Sequence, residues 1–374
     1  MRNFTKILCA VLALVVALSA ASCTLTKQFS YKTEDVELPI GVYIYYLQSA
    51  YNEAQSYAQK SDLYDSEAGT YDGSKSFLKM EITDDDDVTA VAEDWIKDKA
   101  AEYMDSAVAV YHEASVLGAT VDEATASYYE SMYDSYWDSI ADTYEGYGIS
   151  YDSFKLAGIT IPLLHSAVFE AEYKKDGPHA VSDDELQEYF DKNYTSYKYF
   201  SANLYTSVET PSTDENGNET TQSTDTAMDE QQITRHKNYF QLFADRINDG
   251  TNTFSEMLDA YNVKFDAAAT ATEDVKKIDE DTTDELEKAI ASLKEGEAKY
   301  TIIGDDENSR QIYLIYKAPI TDEKDYLKDD NNRLSVVSNM KTDDFNDLLK
   351  DVAAKLVIDK SSACDSYKPS MFES

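Results

Sequence analysis

A long apolar stripe at helical spacing is the feature that most limits the folds open to this chain. Its members recur every three or four residues: Ile96, Ala100, Tyr103, Ala107, Val110, Ala114 and Leu117. This spacing places them on one face of a helix, which should end at Gly118, a residue suited to a left-handed cap. The chain has only 12 Gly and 6 Pro among 374 residues, which favours further long helices. A mainly α-helical fold is therefore expected.

The pattern changes after the first half of the chain. Residues 199–206 are rich in aromatic and β-branched side chains and predict a strand, as do residues 300–303 and 312–317. Helical patterns lie between these strands, so residues 197–318 are expected to form an inserted α+β domain. Within it, residues 207–230 are polar and show no periodicity, which predicts a disordered insertion.

The C-terminal segment is predicted to return to the first helices. It carries an amphipathic stripe made of Phe345, Leu348, Leu349, Val352 and Leu356. Because an exposed stripe of that size would favour aggregation, residues 321–374 are expected to pack on a helical domain at 38–195. The predicted fold class is thus mainly α with an inserted α+β domain.

The N-terminus predicts export. A short basic region is followed by an almost wholly apolar run at residues 7–21, which is typical of a signal peptide (1–22) and short for a membrane span. The sequence Ala-Ala-Ser-Cys that ends at Cys23 resembles a bacterial lipobox, in which the cysteine is acylated and becomes the mature N-terminus. Ordinary cleavage, with Cys23 incidental, is the alternative. Residues 23–37 are expected to be a polar tether. The expected location is extracytoplasmic, lipid-anchored to the outer face of the bacterial cell membrane.

Charge and residue usage exclude several classes of function. The formal net charge of −39 disfavours nucleic acid as a partner, because neutralising phosphates requires clustered Lys and Arg. The four His are scattered, and no nucleophile, zinc or phosphate-loop motif is present. We therefore predict no catalytic residue, no metal site and no cofactor. The chain has 30 Tyr, of which most are expected at helix interfaces and some at an exposed surface.

Five short stretches together resemble one family, the SurA/PrsA type of extracytoplasmic foldase. They are the helix–glycine–helix step at 113–123, the segment Gly-Ile-Ser-Tyr-Asp-Ser-Phe at 148–154, the acidic helix start at 181–190, the Leu-Lys-Glu-Gly-Glu helix end within 286–297, and the strand Tyr-Leu-Ile-Tyr-Lys at 313–317. The resemblance implies a SurA N-terminal-like helical chaperone domain, an inserted parvulin-like prolyl isomerase domain and a returning C-terminal helix.

The chain departs from this family at the catalytic positions. Active parvulins resemble one another in two core histidines, one in the first strand of the domain and one in the last. Asn203 stands at the first of these positions and Leu314 at the second. A Gly-Gly-Asp-Leu-Gly stretch expected near the middle is replaced at residues 264–269. The resemblance therefore implies a degenerate isomerase pocket at Asn203 and Leu314, with an isomerase domain that is inactive.

The resulting expectation is a membrane-anchored chaperone or foldase. Its partners would be unfolded or nascent secreted proteins, and the membrane through the lipid on Cys23. A solute-binding lipoprotein of a transporter is one alternative, although it would need two lobes with parallel sheets and Gly-rich turns. An active peptidyl-prolyl cis–trans isomerase is another, although it would need residues that the sequence lacks.

Overall fold

The protein folds as a mixture of helices and smaller sheets, which confirms the predicted fold class at that level. The computed structural model describes residues 28–213, 219–279 and 281–373. The predicted signal peptide and Cys23 lie outside these residues. Within the described part, no helix is both long and apolar enough to cross a membrane.

The elements are numbered in chain order. The helices are α1 (Ile40–Lys60), α2 (Ala92–Leu117), α3 (Glu123–Tyr147), α4 (Tyr151–Lys155), α5 (Ile161–Tyr173), α6 (Asp183–Asn193), α7 (Glu230–Asn248), α8 (Phe254–Phe265), α9 (Glu285–Ala291) and α10 (Asp330–Lys355). The strands are β1 (Phe29–Lys32), β2 (Glu37–Pro39), β3 (Tyr64–Asp65), β4 (Thr70–Tyr71), β5 (Glu81–Thr83), β6 (Thr89–Val91), β7 (Tyr194–Asn203), β8 (Tyr205–Thr213), β9 (Glu219–Ala227), β10 (Thr272–Lys277), β11 (Ala298–Ile303), β12 (Gln311–Ala318) and β13 (Asp359–Lys360).

The chain divides into two compact units, one of residues 28–181 with 339–373 and the other of residues 182–338. In the first, α2 packs against both α1 and α5. The stripe predicted from the sequence is the buried face of α2, and Ile96 is fully buried. Gly118 caps this helix in the left-handed conformation, with φ 65°. The core is therefore built from helices that present one apolar face each.

The two ends of the described chain meet in a sheet of the first unit. Strand β1 lies between β2 and β13, and Tyr31 pairs with Lys360. Tyr31 is 4% exposed and Val36 5%, so the predicted polar tether of 23–37 is wrong from β1 onward. The sequence could not show this, because the strand that completes the sheet comes from the far end of the chain.

The second unit is built on a four-stranded antiparallel sheet in the order β10-β7-β12-β11. Helices α7 and α8 share a core with one face of this sheet. Helix α9 covers part of the other face, where Ile290 packs with Tyr197 and Ile315. The first and last strands of the sheet, β7 and β12, are therefore adjacent and central.

The predicted domain boundaries at 195–197 and 318–321 are displaced, since the second unit spans 182–338. Helix α6 runs directly into β7. Phe190, close to the end of α6, stacks on Tyr326 with 5.1 Å between ring centroids. Hydrophobic periodicity in the sequence identifies such helices, but it does not reveal in which of the two units each helix packs.

The segment predicted to be a disordered insertion (207–230) is instead largely ordered. Strands β8 and β9 pair in register from Tyr205 opposite Ala227 to Thr213 opposite Glu219. Alternating Thr and Ser residues favour extended backbone, and the ladder supplies hydrogen bonds without any apolar core. Because neither face of this ribbon is buried, the sequence contains no alternation of apolar and polar residues from which to predict it.

The part of α10 from residue 339 onward belongs to the first unit and packs there through a buried aromatic side chain. Phe345 is 1% exposed. Its ring centroid lies 4.9 Å from that of His165, 5.2 Å from Phe169 and 6.2 Å from Tyr173. The amphipathic stripe of this helix is thus buried against α5.

Phe345→Ala should therefore lower the free energy of unfolding by about 3–5 kcal/mol, because it leaves a cavity among three rings. Asn346→Ala, at the next and exposed position of α10, should change it by less than about 0.5 kcal/mol. Urea denaturation followed by circular dichroism measures both. Equal effects for the two variants would contradict the packing described here.

Candidate functional site

The structure does not bring together the two residues predicted to form a degenerate pocket. Asn203 lies opposite Gln311 in the ladder between β7 and β12, whereas Leu314 lies opposite Phe200. Gln311 and Leu314 are three residues apart on one strand, so their side chains point to opposite faces of the sheet. The prediction that Asn203 and Leu314 line one pocket is therefore wrong, because the sequence does not fix the register of the strands.

Leu314 belongs to the closed face of the sheet. It is fully buried, and Phe200 opposite it is 1% exposed. The ring of Phe200 lies 5.3 Å from Phe240 and 5.7 Å from Phe254, which come from α7 and α8. This position is part of a dry aromatic core and offers no cleft for a substrate.

Asn203 belongs to the other face, where a short chain of neutral polar groups runs along the sheet. The Gln311 amide donates to Oδ1 of Asn203 at 2.8 Å, and the Tyr313 hydroxyl donates to Oε1 of Gln311 at 2.6 Å. Ser201 lies directly opposite Tyr313. Burial raises the pKa of Tyr313, so its phenol stays protonated at neutral pH. These groups bind and orient hydrogen-bonding partners, but none of them is a general acid or base near pH 7.

No imidazole lies on either face of this sheet among the described residues. His236 is on α7, where its ring stacks on Phe265 at 4.3 Å between centroids. Burial, followed by the charge of Arg235, lowers its pKa and keeps it neutral. The remaining described histidines, at 112, 165 and 179, belong to the first unit. The polar pair implied for an active isomerase is thus missing from the sheet.

Among the described residues outside this sheet, neither a reactive thiol nor a metal centre is found. Cys364 is buried, and burial together with Asp365 raises its pKa to about 11, so the thiol is protonated and inert. No group of three or more His, Cys, Asp or Glu among the described residues is arranged to hold a metal ion. The surface of the protein is therefore the place to look for function.

Helix α3 differs from the other long helices because none of its residues is fully buried. Asp122 caps its start by accepting a hydrogen bond from the backbone of Thr125, and Gly148 ends it with φ 94°. One face rests on the core of the first unit through half-buried residues at helical spacing: Tyr133, Trp137, Ile140, Tyr144 and Tyr147. The opposite face is open to solvent.

Phe154 of α4 anchors the inner face of α3. It is 1% exposed, and the rings of Trp137, Tyr133 and Tyr144 lie 5.1, 5.7 and 5.7 Å from it. Tyr45 of α1 reaches the same cluster at 6.0 Å. Burial, then the neighbouring phenols, raises the pKa of Tyr45 to about 12. This aromatic cluster fixes α3 in place, and Tyr136 touches its edge, with 6.3 Å between its ring centroid and that of Phe154.

An exposed flank beside the inner face, called here the outer face, presents an aromatic stripe, which we define as Tyr128, Tyr129, Met132 and Tyr136. Their exposed fractions are 67%, 37%, 49% and 53%, respectively. Steps of three and four residues place them on one side of the helix. These four account for a third of the twelve large apolar side chains exposed in the described chain, whereas the others are spread over eight positions elsewhere. Such clustering marks an interaction surface.

Carboxylates lie on the side of α3 that is turned away from the aromatic stripe. Glu130, Asp134 and Asp138 are exposed on the same helix. Lys155 forms an ion pair with Glu130 at 3.3 Å, and the Tyr151 hydroxyl donates to Asp134. The stripe itself combines rings and a flexible thioether, which suits weak binding of apolar segments, and the net charge of −39 favours segments that carry positive charge.

Sequence reasoning identified the aromatic residues of this helix but not their division into two faces. Residues 128–140 read as a continuous apolar helix and were expected at interfaces. The sequence does contain two sets of apolar residues at helical spacing that are displaced around the helix relative to each other. One set includes Tyr133 and Trp137, and the other includes Met132 and Tyr136. Only the position of Phe154 decides which stripe is buried.

Substitutions on the two faces of α3 should have different costs. Met132→Ala should change the free energy of unfolding by no more than about 0.5 kcal/mol, and Tyr136→Ala, which touches only the edge of Phe154, by no more than about 1 kcal/mol, because both side chains are about half-exposed. Trp137→Ala should lower it by about 2 kcal/mol or more, because the indole packs on Phe154. Chemical denaturation followed by circular dichroism provides the comparison. A large loss for Tyr136→Ala would mean that the outer stripe is structural.

Comparison with known proteins adds no relative. No family model, no curated protein and no solved structure matches this chain. The functional argument therefore depends on the residues and their geometry.

Proposed function

We propose that the protein is an extracytoplasmic chaperone that binds unfolded segments of secreted proteins without isomerising their prolines. The observation that carries this proposal is the aromatic stripe on α3, an exposed apolar surface on an otherwise highly charged molecule. Of its four clustered apolar residues only Tyr136 is seen to touch the Phe154 cluster, and all four remain 37–67% exposed, so most of this surface is open to a partner. Binding of a partner that is itself partly unfolded is the use that its chemistry favours.

The charge of the chain defines the preferred client. The formal net charge is −39, and carboxylates are also exposed on the same helix as the stripe. Negative potential attracts basic chains and repels acidic ones over about 10 Å at moderate salt. Neutral or basic segments that contain aromatic residues are therefore the expected clients, and a large part of the attraction should disappear as the salt concentration rises.

The second unit supports a role in binding rather than in catalysis. Its first and last strands are neighbours, and the helices between them flank an antiparallel sheet. Prolyl isomerisation must lower a barrier of about 18–20 kcal/mol. The neutral Asn203–Gln311–Tyr313 chain offers no imidazole pair for this task. We therefore assign the unit as a degenerate parvulin-like domain and the first unit as a SurA-like helical domain.

The solute-binding alternative gains no support from the fold. Transporter-associated binding proteins of that kind need open parallel sheets whose strand ends form a ligand crevice. Every strand pair in the described sheets is antiparallel. The active-isomerase alternative is disfavoured because the sheet carries no imidazole.

The lipid anchor remains part of the proposal. Cys23 lies five residues before Gln28, the first described residue, and β1 begins at Phe29. Five residues span at most about 18 Å when fully extended. A lipid on Cys23 would therefore hold the helical unit close to the membrane, where secreted chains emerge unfolded.

Chaperone activity should be measurable as suppressed aggregation of a basic client. Chemically reduced lysozyme should remain in solution at near-stoichiometric amounts of the protein, and added salt should weaken the effect. The triple variant Tyr128→Ser, Met132→Ser and Tyr136→Ser should lose most of this suppression while it remains folded.

A matched control is Leu242→Ser with Val263→Ser, which removes two exposed apolar side chains from the second unit, 41% and 87% exposed. This double variant should suppress aggregation as well as the unmodified protein does. A proline-containing test peptide should isomerise at its uncatalysed rate in every case. Equal loss in both variants would overturn the assignment of the stripe, and accelerated isomerisation would overturn the non-catalytic assignment.

Lipidation should be visible by mass spectrometry of protein purified from membranes of the producing cell. The expected N-terminus is Cys23 carrying acyl chains, and Cys23→Ala should release the protein from the membrane fraction. An unmodified N-terminus at another residue would remove the anchor from the proposal.

A further inference from the structure

Strand β11 forms one edge of the four-stranded sheet in the second unit and pairs with β12. The backbone N–H of Lys317 donates to the carbonyl of Glu297 at 3.0 Å, so Glu297 directs its carbonyl towards β12. Backbone groups of successive residues on an antiparallel strand alternate between its two sides. Ala298, Tyr300 and Ile302 therefore direct their N–H and C=O groups away from β12, along the outer edge of the sheet.

A side-chain amide occupies the first position of this edge. The backbone N–H of Ala298 donates to Oδ1 of Asn248 at 2.7 Å, and Nδ2 of Asn248 donates to the carbonyl of Ala298 at 2.9 Å. The amide, at the end of α7, thus makes the pair of hydrogen bonds that a residue of a fifth strand would make. Among the described residues, no further hydrogen bond reaches the outward groups of Tyr300 or Ile302. The edge is closed at its start and open at the next two outward positions.

The opposite edge of the sheet, strand β10, is closed in its middle. The backbone N–H of Val275 donates to Oδ1 of Asp274 at 2.8 Å, and the carbonyl of Val275 accepts from the Tyr326 hydroxyl at 3.3 Å. Both backbone groups of Val275 are therefore used outside the ladder with β7. Glu273 and Lys277, which face the same way, carry charges, and charged side chains discourage the pairing of another strand. Of the two edges, β11 is thus the one that can accept a strand.

The residues of β11 favour pairing with an extended chain. From Tyr300 to Ile303 the strand is aromatic or β-branched, it contains no Pro, and it pairs with β12 without a bulge. Its charged residue, Lys299, stands next to Ala298 and outside the open part. The side chains of Tyr300 and Ile302 pack on the core shared with α7 and α8, which holds the strand in place. A regular, exposed edge of this kind is a template for a further strand.

Charge around the edge restricts what can bind there. Asp305, Asp306 and Glu307 follow β11 and are exposed. Glu307 lies 3.9 Å from Arg310, whereas Asp305 and Asp306 have no ion-pair partner among the described residues. A second copy of the chain would bring the same carboxylates and a net charge of −39 to this edge, which opposes pairing of two β11 strands. A neutral or basic segment is complementary to it.

We propose that β11 binds an extended, neutral or basic segment of an unfolded client as a fifth strand, beside Tyr300 and Ile302. The identity of this occupant rests on the function proposed above, whereas the open edge does not. Each of the two residues offers one N–H and one C=O group to the backbone of the bound segment, so the edge recognises extended backbone in chains of many sequences. The contact is short and supplements the aromatic stripe.

Hydrogen exchange of single amides, measured by NMR on the full chain, tests the edge. In the free protein the amides of Tyr300 and Ile302 should exchange faster than those of Lys299 and Thr301, which face β12. The probe is a synthetic peptide of alternating Thr and Val with a Lys at each end. It should slow exchange at Tyr300 and Ile302 several-fold and leave Val275 unchanged. Slow exchange at both positions before the peptide is added, or no slowing after it, would overturn the proposal.

A peptide with the same side chains but with all of its central amides N-methylated is the matched ligand control. It cannot donate hydrogen bonds from either of its edges, so it should give no protection. Protection equal to that given by the unmodified peptide would mean that side chains, and not strand pairing, cause the binding.

Two variants at one position separate the backbone from the side chain. Ile302→Pro removes an outward N–H and keeps the bonds to β12, so protection by the peptide should be lost. Ile302→Ala loses the same side-chain contacts but keeps the N–H, so protection should remain at Tyr300. Should Ile302→Pro fail to fold, Asn248→Ala decides, because it frees the groups of Ala298 and should extend peptide protection to that amide.

Failure of this inference can be told apart from failure of the proposed function. If the protein suppresses aggregation of reduced lysozyme but the peptide protects no edge amide, the chaperone function stands and the fifth strand is wrong. If the peptide protects the edge but aggregation is not suppressed, strand binding stands and the chaperone function is wrong.

Discussion

The helical unit depends on the pairing of its two chain ends. Strand β1 has β13 as a neighbour, and the Lys360 ammonium lies 4.7 Å from the ring of Tyr31 while it donates to Asp105 of α2 at 3.0 Å. Bringing β1 and β13 together closes a very long loop, which costs conformational entropy. This cost grows only slowly with the length of the loop. Burial of Cys364 and Phe372 in the same core as α1 and α2 offsets this cost. With both ends fixed, the middle of the chain forms a unit of its own.

The sequence contained enough information for the mixture of helix and sheet, and for individual helices. The stripe through Ile96 and Val110 defines α2 because a helical period is a local property. Strand register is not local. The register of β7 against β12 places Phe200 opposite Leu314, and no count along either strand could have predicted it. The predicted pocket failed for that reason, although the absence of histidine from the sheet is evident in both the sequence and the structure.

Exposure is similarly invisible in a single sequence. The ribbon of β8 and β9 resembles a disordered segment in composition, because its order comes from a backbone ladder with no buried face. Helix α3 resembles a buried helix, because it carries aromatic residues on both sides. Its inner face is defined by Phe154, and the outer face is left to solvent. An open apolar stripe beside a buried face is thus a product of packing, and it is the surface on which the functional proposal rests.

Site-specific photo-crosslinking tests the central claim most directly. A benzophenone amino acid placed at Met132, on the aromatic stripe, should capture reduced and unfolded lysozyme upon illumination, and the yield should fall as salt is added. The same probe at Leu242, which is exposed on the second unit, should give little product. The account predicts a clear preference for position 132. Equal capture at both positions, or capture of folded and unfolded lysozyme alike, would contradict it.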